Sequence, residues 1–402
     1  MPTIIGVTEQ QPTSTRRRFG FALLAYAFVA IMLGTTLPTP IYALYSDRMH
    51  FEVLTTTVIF STYAVGVLAA LLVFGRWSDA LGRRPVLLAG AGFALASAVV
   101  FLFADDVPML LLGRVLSGLS AGIFTGTATA AIVEASPAHR RDRATAIATV
   151  ANIGGLGAGP LLAGVLVQYA PHPLQLPFIV HIVLVVLAIG AVLLAPETSA
   201  RTGHLGLQRL SVPAEMRPVF VTAATAAFAG FAVTGLFMAV VPTFVRSVIG
   251  IENHAVAGVV ASSIFVASAV AQLSARRIPP RRAIAVGCAI LVVGMLILAA
   301  ALHFSSLPLL LGAAVVAGVG QGISFSRGLA AVAELAPADR RAEVSSTYFV
   351  VAYVAISVPV VGEGFASQHL GLRTAGVSFA IATAVLAAIC LAAILFQERR
   401  VD

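Results

Sequence analysis

Long apolar stretches alternate with short polar segments along the whole chain. A helix needs roughly 20 apolar residues to cross the hydrocarbon core of a bilayer, and twelve stretches reach that length. The predicted membrane spans lie near residues 20–44, 55–75, 85–104, 109–133, 143–168, 175–196, 218–245, 255–275, 283–303, 307–333, 343–366 and 373–396. The pattern therefore predicts an all-α polytopic membrane protein with twelve transmembrane helices.

The composition agrees with this class. Hydrophobic residues make up 59% of the 402 residues and charged residues only 10%, whereas a soluble domain carries about 25% charged residues. The net charge of +8 would suit a nucleic-acid partner, but all 25 basic residues are arginines, and most of them lie in short clusters between apolar stretches, as topology signals do. Cys288 and Cys390 lie inside apolar stretches, so we expect them to pack rather than to form a disulfide framework.

The arginines also predict the orientation. If the chain starts in the cytoplasm, twenty arginines fall in cytoplasmic loops and tails, and only Arg48, Arg246 and Arg373 lie on the other side. This bias predicts a multi-pass protein of the cell inner (plasma) membrane with both termini in the cytoplasm. The polar start, which ends in Arg16–Arg18, then reads as a cytoplasmic tail, because the apolar stretch behind it exceeds the roughly 7 to 15 residues of a signal-peptide core.

The two halves of the sequence resemble each other. Residues 130–141 read AAIVEASPAHRR and residues 330–341 read AAVAELAPADRR, with seven identical positions at an offset of 200. Duplication explains the matching Glu, Pro and Arg positions better than a shared alanine bias, and it predicts parallel repeats of six spans each. We expect an N-terminal half over 1–196, a cytoplasmic linker over 197–217 and a C-terminal half over 218–402.

The polar segment between the second and third spans combines spaced glycines with charged residues. Glycines let two helix ends approach closely, and Asp and Arg can pair across the gap or complement helix dipoles. An arginine cluster that only sets topology is the alternative, but it would not need the acid or the glycines. We predict a conformational latch formed by Gly75, Asp79, Gly82, Arg83 and Arg84.

Four motifs resemble those of the major facilitator superfamily. The segment from Gly75 to Pro85 is similar to its loop signature G-x-x-x-D-x-x-G-R-[RK], and Gly113-Arg114 with the following glycines resembles its fourth-span motif. Residues 155–164 are similar to G-x-x-x-G-P-x-x-G-G of its proton-driven antiporters, with Ala163 as the one departure, and residues 33–40 resemble the first span of its twelve-span drug exporters.

The resemblance implies two pseudo-symmetric six-helix halves and secondary active transport by alternating access. It implies a small-molecule substrate and protons as partners, within the lipid bilayer. No span holds a His-Glu cluster or paired Asp, so we expect no enzyme activity and no metal site. We also expect a monomer without a cofactor or a nucleic-acid partner. In the family, the loop Asp contacts the start of span eleven in the outward-facing state, which would be Glu343–Ser346 here, so we expect Asp79 to close the cytoplasmic side.

The fifth span carries an antiporter-type run of small residues and a proline. Gly155, Gly159 and Gly164 allow close packing of a neighbouring helix, and Pro160 bends the span. In the resembling family this bend lets span five slide against span eight, and it is more common in exporters than in importers. We therefore expect export.

Proton coupling needs an ionisable group inside the membrane, where few exist. Many drug exporters of the family carry an acid in span one, but none lies between Arg18 and Asp47 here. The candidates are Arg114, either tuning a nearby acid or snorkelling to the interface, Glu363, embedded or exposed at a helix end, and Glu134, coupling or pairing with loop arginines.

In the family, spans one, four, seven and ten line the cavity between the halves. The cavity candidates are Thr36, Pro38, Tyr42, Phe124, Phe231, Gln321, Phe325 and Arg327. For Arg327, gate closure and recognition of substrate charge both stay open. This aromatic, weakly polar set suits small amphipathic or lipophilic compounds such as drugs or metabolites. We predict a proton-driven exporter; the alternative is a proton-coupled or facilitative importer of a small metabolite or sugar.

Overall fold

The structure is a computed structural model that describes residues 14–199, 201 and 203–398. Twelve of its helices are long and apolar enough to cross a membrane, so the predicted class and number of spans are confirmed. They are α1 (Ser14–Thr36), α2 (Val53–Phe74), α3 (Arg83–Leu102), α4 (Val107–Glu134), α5 (Arg141–Tyr169), α6 (Leu176–Leu194), α7 (Arg217–Ala239), α8 (His254–Ser274), α9 (Pro280–Phe304), α10 (Leu307–Leu335), α11 (Arg341–Leu370) and α12 (Leu372–Glu398).

The first and seventh predicted spans are each broken in two. α1 ends at Thr36 and is followed by a 3₁₀ turn, Thr39–Ile41, and a short helix, Tyr42–Met49. α7 ends at Ala239 and is followed by the short helix Val241–Ser247. Prolines cause both breaks, because Pro38, Pro40 and Pro242 lack the N–H that an uninterrupted helix would use. The predicted spans 20–44 and 218–245 therefore each contain a helix break, which the hydropathy pattern did not show.

The helices form two pseudo-symmetric halves, α1–α6 and α7–α12. In the first half α1 packs on α5 and α6, α4 on α2 and α3, and α3 on α6. Each of these pairs recurs in the second half: α7 on α11 and α12, α10 on α8 and α9, and α9 on α12. Between the halves the largest contacts join α5 to α8 and α2 to α11, which are equivalent pairs.

The hydrophobic core is continuous on one side of the molecule and divided on the other. We call the side that holds the α2–α3, α4–α5, α8–α9 and α10–α11 connections the arginine-rich face. Toward the opposite face, Leu37 and Ile41 of the first half share one core with Phe237 and Phe244 of the second. Toward the arginine-rich face, each half has a separate core. The halves therefore meet on the opposite face and separate toward the arginine-rich face.

The segment between α6 and α7 lies on the arginine-rich face and contacts the ends of other helices there. The backbone N–H of Gly203 donates to the Asp79 carbonyl (3.2 Å), and that of Gln208 donates to the Leu72 carbonyl (2.7 Å). Farther along, the N–H of Ser211 donates to the hydroxyl of Thr347 in α11 (3.1 Å). The segment is thus hydrogen-bonded to both halves.

Candidate functional site

A cavity of about 1050 Å³ lies between the two halves. Its wall comes from α1, α2, α4, α5, α7, α8, α10 and α11. It extends from Arg114, deep in α4, to the exposed residues Asp142 and Arg277 at the helix ends. The cavity therefore opens on the arginine-rich face, and the continuous core closes it on the opposite face.

Five of the predicted cavity residues line this cavity: Thr36, Phe231, Gln321, Phe325 and Arg327. They come from α1, α7 and α10, three of the four spans that the resemblance named. Gln321 belongs to a hydrogen-bonded group, because the Ser268 hydroxyl donates to its Oε1 (2.7 Å) and the Gln272 amide donates to Ser268 (3.2 Å).

The structure places the other three predicted residues in the helix packing. Pro38 and Tyr42 lie buried at the break after α1, toward the closed face. Phe124 is buried against Phe28, with ring centroids 6.4 Å apart. A contribution of these residues to the cavity in another conformation stays a prediction.

Sequence reasoning missed the hydroxyl-bearing side of the cavity. Thr125 and Thr129 of α4, with Thr145 and Thr149 of α5, line it near the arginine-rich face. Their spacing of four residues places each pair on one helix face, and this polar stripe was the signal that could have found them. Aromatic residues of α2 and α11 were missed as well, because the resemblance named only spans one, four, seven and ten; they are Phe60, Tyr63, Phe349 and Tyr353.

Arg114 forms the closed end of the cavity. It is 2% exposed, so it does not snorkel to the membrane surface. Its guanidinium donates to the Thr35 carbonyl (2.6 Å) and the Phe60 carbonyl (3.4 Å). It also lies 4.8 Å from the ring centre of Tyr63 and 5.4 Å from that of Phe60, which are cation–π distances. Carbonyl groups and aromatic faces thus hold this charge, and its Nε has no partner among the described residues.

The predicted latch loop is built around Arg83. Its guanidinium pairs with the Asp79 carboxylate (2.6 Å) and binds Glu134 through two nitrogens (2.7 and 3.1 Å). Glu134 also accepts a hydrogen bond from the Thr198 hydroxyl (2.9 Å). In this conformation Glu134 therefore has the ion-pair role, which was the alternative to proton coupling; coupling through it stays a prediction.

Asp79 contacts the segment between α6 and α7, because its backbone carbonyl accepts the hydrogen bond from Gly203. The latch contact between Asp79 and the start of α11 was assigned to a conformation closed on this side, whereas the described cavity is open here. That contact stays a prediction.

Glu197, which sequence reasoning did not single out, caps the start of α3. Its carboxylate accepts hydrogen bonds from the backbone N–H groups of Arg83 (2.8 Å) and Arg84 (3.1 Å). Gly82 makes this approach possible, because its φ of 109° is unfavourable for other residues and a Cβ there would lie 2.6 Å from the carboxylate. Burial alone would raise the pKa of Glu197, but hydrogen bonds from Ser199, Arg83, Arg84 and Thr198 outweigh it and hold the pKa below its ordinary value.

Replacing Glu197 with Gln is expected to destabilise the protein by about 0.5–2 kcal/mol, the usual cost of losing a helix N-cap. Because the pKa is lowered, the contribution of Glu197 is present above the ordinary Glu pKa of about 4.3 and disappears as the pH falls through the folded-state value. Thermal unfolding in detergent from pH 7 down to pH 3 measures this. A difference between wild type and variant that stayed constant at acidic pH would contradict the capping role.

The small residues of α5 contact two neighbouring helices. Gly155 and Gly159 pack against α1, and a Cβ at Gly155 would lie 2.6 Å from the Met32 side chain. Gly164 packs against α8, whose Gly258 meets the Pro160 carbonyl. The Ser262 hydroxyl of α8 also donates to the Gly157 carbonyl (2.7 Å). One side of the run therefore lies at the α5–α8 contact between the halves, and the other side lies against α1 within the first half. That α5 slides against α8 stays a prediction.

Replacing Gly164 with Ala is expected to destabilise the protein by about 1–3 kcal/mol, the usual cost of overpacking. Its new Cβ would lie 2.6 Å from the His254 carbonyl and 3.2 Å from the Ala255 Cα, both backbone atoms. Gly154→Ala in the same helix is the matched control, because its nearest neighbour outside the helix backbone lies 3.9 Å away. Melting temperatures and transport rates of the two variants are compared; equal effects would remove the special role of the α5–α8 contact.

Glu363 is buried in α11, with 3% exposure, so of the two positions left open for it the embedded one is observed. One oxygen accepts a hydrogen bond from Ser367 (3.1 Å), and the other has no partner among the described residues. It lies one turn beyond Val360, which packs on Gly235 of α7. A carboxyl group in this setting remains our candidate for proton coupling.

Two six-helix halves around a cavity that opens on one face define a membrane transporter for small molecules. The family model described as the Major Facilitator Superfamily matches residues 22–359, so the chain belongs to this family. Its fold and family are those of transporters and not of enzymes.

Curated relatives are similar over part of their length. The "Tetracycline resistance protein, class D" of Salmonella ordonez is 35% identical over 128 residues, which cover 32% of this chain and 31% of that protein. "Multidrug resistance protein 1" of Bacillus subtilis is 27% identical over 146 residues, covering 36% and 37%. The "Triacylglyceride transporter" of Mycobacteroides abscessus is 38% identical over 111 residues, covering 27% and 20%. The matched residues thus span between 20% and 37% of the length of these relatives.

Solved structures share the fold across nearly the whole chain. A bacterial homologue of the human lysosomal transporter Spinster, inward-facing and unoccupied, aligns with a TM-score of 0.75 and 15% identity over 95% of this chain and 98% of that one. The human organic anion transporter MFSD10 (TETRAN) aligns with a TM-score of 0.67 and 16% identity over 95% and 100%. At these identities the likeness concerns the fold alone.

Proposed function

We propose that the chain is a proton-driven exporter, an antiporter, of small amphipathic or lipophilic compounds such as drugs or metabolites, working by alternating access. The observation that carries the proposal is the cavity of about 1050 Å³ between the halves, open on the arginine-rich face and closed by packed core on the other. The glycine and proline run of α5 against α8 and the names of the tetracycline and multidrug resistance relatives favour export.

The proposed topology places the arginine-rich face in the cytoplasm of a cell whose plasma membrane holds the protein. Both termini would then be cytoplasmic; residues 1–13 and 399–402 themselves lie outside the described residues. We propose a monomer with an N-terminal half over 1–196, a linker over 197–217 and a C-terminal half over 218–402. The ends of the flanking helices support these boundaries, because one ends at Leu194 and the next begins at Arg217.

Alternating access requires the opposite face to open. Polar contacts that join the halves there include an ion pair between Arg246 and Asp47 (2.7 Å) and hydrogen bonds from Gln368 to Glu52, from the backbone N–H of His254 to Gln168 (2.9 Å) and from Asn253 to Tyr169 (3.4 Å). Both ion-pair side chains are substantially exposed, so the pair contributes at most about 1 kcal/mol and can break during the cycle. The proposed cycle exchanges these contacts for the Asp79 latch on the cytoplasmic face.

Two assays test the proposal. Cells that overproduce the chain should retain less of a fluorescent amphipathic compound than cells with an empty vector, whereas an importer would make them accumulate more. In proteoliposomes, an imposed pH gradient should drive substrate movement opposite to the proton movement, recorded with a pH-sensitive dye. Accumulation in the cells, or substrate movement that ignores the pH gradient, would overturn export or proton coupling respectively.

A further inference from the structure

The cavity wall carries an excess of positive charge. Four arginines and one acid line it, which leaves three positive charges in excess: Arg114, Arg276, Arg277 and Arg327 against Asp142. At the mouth, Arg276 donates to the backbone carbonyl of Asp142 (3.1 Å), and Arg277 is exposed to solvent. A cavity lined by one sign of charge concentrates ions of the other sign. The charge pattern therefore favours an anion.

Among the four lining arginines, Arg327 is the one that lies inside an α-helix and whose guanidinium has no partner among the described residues. It lies eight residues before the end of α10, roughly 12 Å inside the helix at 1.5 Å per residue. Its Nε is buried, and no hydrogen bond or ion pair to its guanidinium exists within the described residues. Arg114 differs, because carbonyl groups and two rings already hold it. The guanidinium of Arg327 is thus available to a ligand.

A charge inside the membrane is costly unless it faces water or a counter-charge. The equivalent position of the first half holds Thr127, so the repeated fold does not require an arginine there. A planar guanidinium matches a carboxylate in a two-point hydrogen-bonded pair. A bound organic anion would supply the counter-charge that the described residues do not.

Aromatic rings form an apolar wall in the same cavity. Phe325 lies edge-to-face with Phe231 (centroids 4.8 Å apart) and with Phe349 (5.9 Å), and all three line the cavity. Such rings suit the flat or apolar part of a ligand. We propose that the cavity binds amphipathic organic anions, with Arg327 pairing with the anionic group and Phe231, Phe325 and Phe349 contacting the apolar part. This inference rests on the proposed function in taking the cavity as the transport site.

Binding of two matched probes to the full-length protein in nanodiscs tests the inference. Dansylglycine carries a carboxylate, and dansylamide carries the same fluorophore without charge. The wild-type chain is expected to bind the carboxylate at least about tenfold more tightly, the factor that one charge-assisted hydrogen bond supplies. Arg327→Gln should remove this preference and leave the affinity for dansylamide unchanged, which also reports that the variant is folded.

Arg217→Gln is the matched control, because it removes the same charge from an exposed position at the start of α7 that does not line the cavity. It should keep the full preference, and Arg327→Lys should keep part of it. Equal wild-type binding of the two probes, a preference that survives in Arg327→Gln, or the absence of dansylglycine binding would overturn the inference. If Arg327 served only gate closure, Arg327→Gln would slow transport without changing the preference.

Transport in proteoliposomes separates this inference from the proposed function. An anion preference that depends on Arg327, without proton-driven movement of dansylglycine, would sustain the inference and refute proton-driven export. Proton-driven movement of dansylamide with no anion preference would refute the inference and sustain proton-driven transport.

Discussion

Replacing Arg114 with Gln is expected to lower transport by at least about tenfold, because hydrogen bonds to a buried charged group contribute about 1.5–3 kcal/mol each. The guanidinium ties the α1 carbonyl of Thr35 to the α2 carbonyl of Phe60, at the place where α1 ends. Glutamine is shorter and uncharged, so it cannot reach both carbonyls or attract the rings of Phe60 and Tyr63. Uptake of substrate into proteoliposomes under a pH gradient measures the loss.

Two further variants make the result for Arg114 specific. Arg114→Lys keeps the charge but loses the planar guanidinium that donates to two carbonyls, and it is expected to retain an intermediate rate. Arg217→Gln removes an exposed arginine at the start of α7 that does not line the cavity, and it is expected to keep most of the wild-type rate in the same assay. A rate above half of wild type in Arg114→Gln, with a normal melting temperature, would refute the role assigned to this residue.

Replacing Glu363 with Gln is expected to abolish substrate-driven proton movement while leaving exchange of substrate across the membrane. Gln has nearly the same shape, and its amide keeps the carbonyl that can accept the hydrogen bond from Ser367. The variant therefore removes proton exchange with little change in packing. Proton movement is followed with a pH-sensitive dye, and exchange is followed with labelled substrate at equal pH on both sides.

Glu215→Gln is the control for this experiment, because Glu215 lies exposed in the 3₁₀ turn before α7. It should move protons at the wild-type rate. Substrate-driven proton movement that persists in Glu363→Gln would exclude Glu363 and return attention to Glu134, whose pairing with Arg83 and Thr198 would then have to open during the cycle.

The number of spans was readable from the sequence because the length and the hydropathy of a segment are enough to identify a membrane span. The breaks after Thr36 and Ala239 were also encoded, in Pro38, Pro40 and Pro242, but the apolar stretches continue through these prolines and concealed them. The sequence repeat predicted two halves of the same architecture, and the same helix–helix contacts occur in both halves.

The cavity wall was less predictable, because the spans are apolar on most sides and the pattern does not tell which side meets which helix. Gln321 and Arg327 stood out by their polarity and do line the cavity. Phe124 and Tyr42 could not be told from packing residues, which is how the structure places them. Glu197 was hidden for another reason: its role depends on the start of α3, more than a hundred positions away in the sequence.

The segment between α6 and α7 also sets a geometric limit. Gln208 is hydrogen-bonded to α2, and Ser211, three residues later, is hydrogen-bonded to α11. Three residues span at most about 10 Å. While both bonds last, the ends of α2 and α11 on this side cannot separate further than that short piece of chain allows, although nothing in it resists their approach. The segment therefore limits how wide the cavity mouth can open between α2 and α11, and it does not restrict closure.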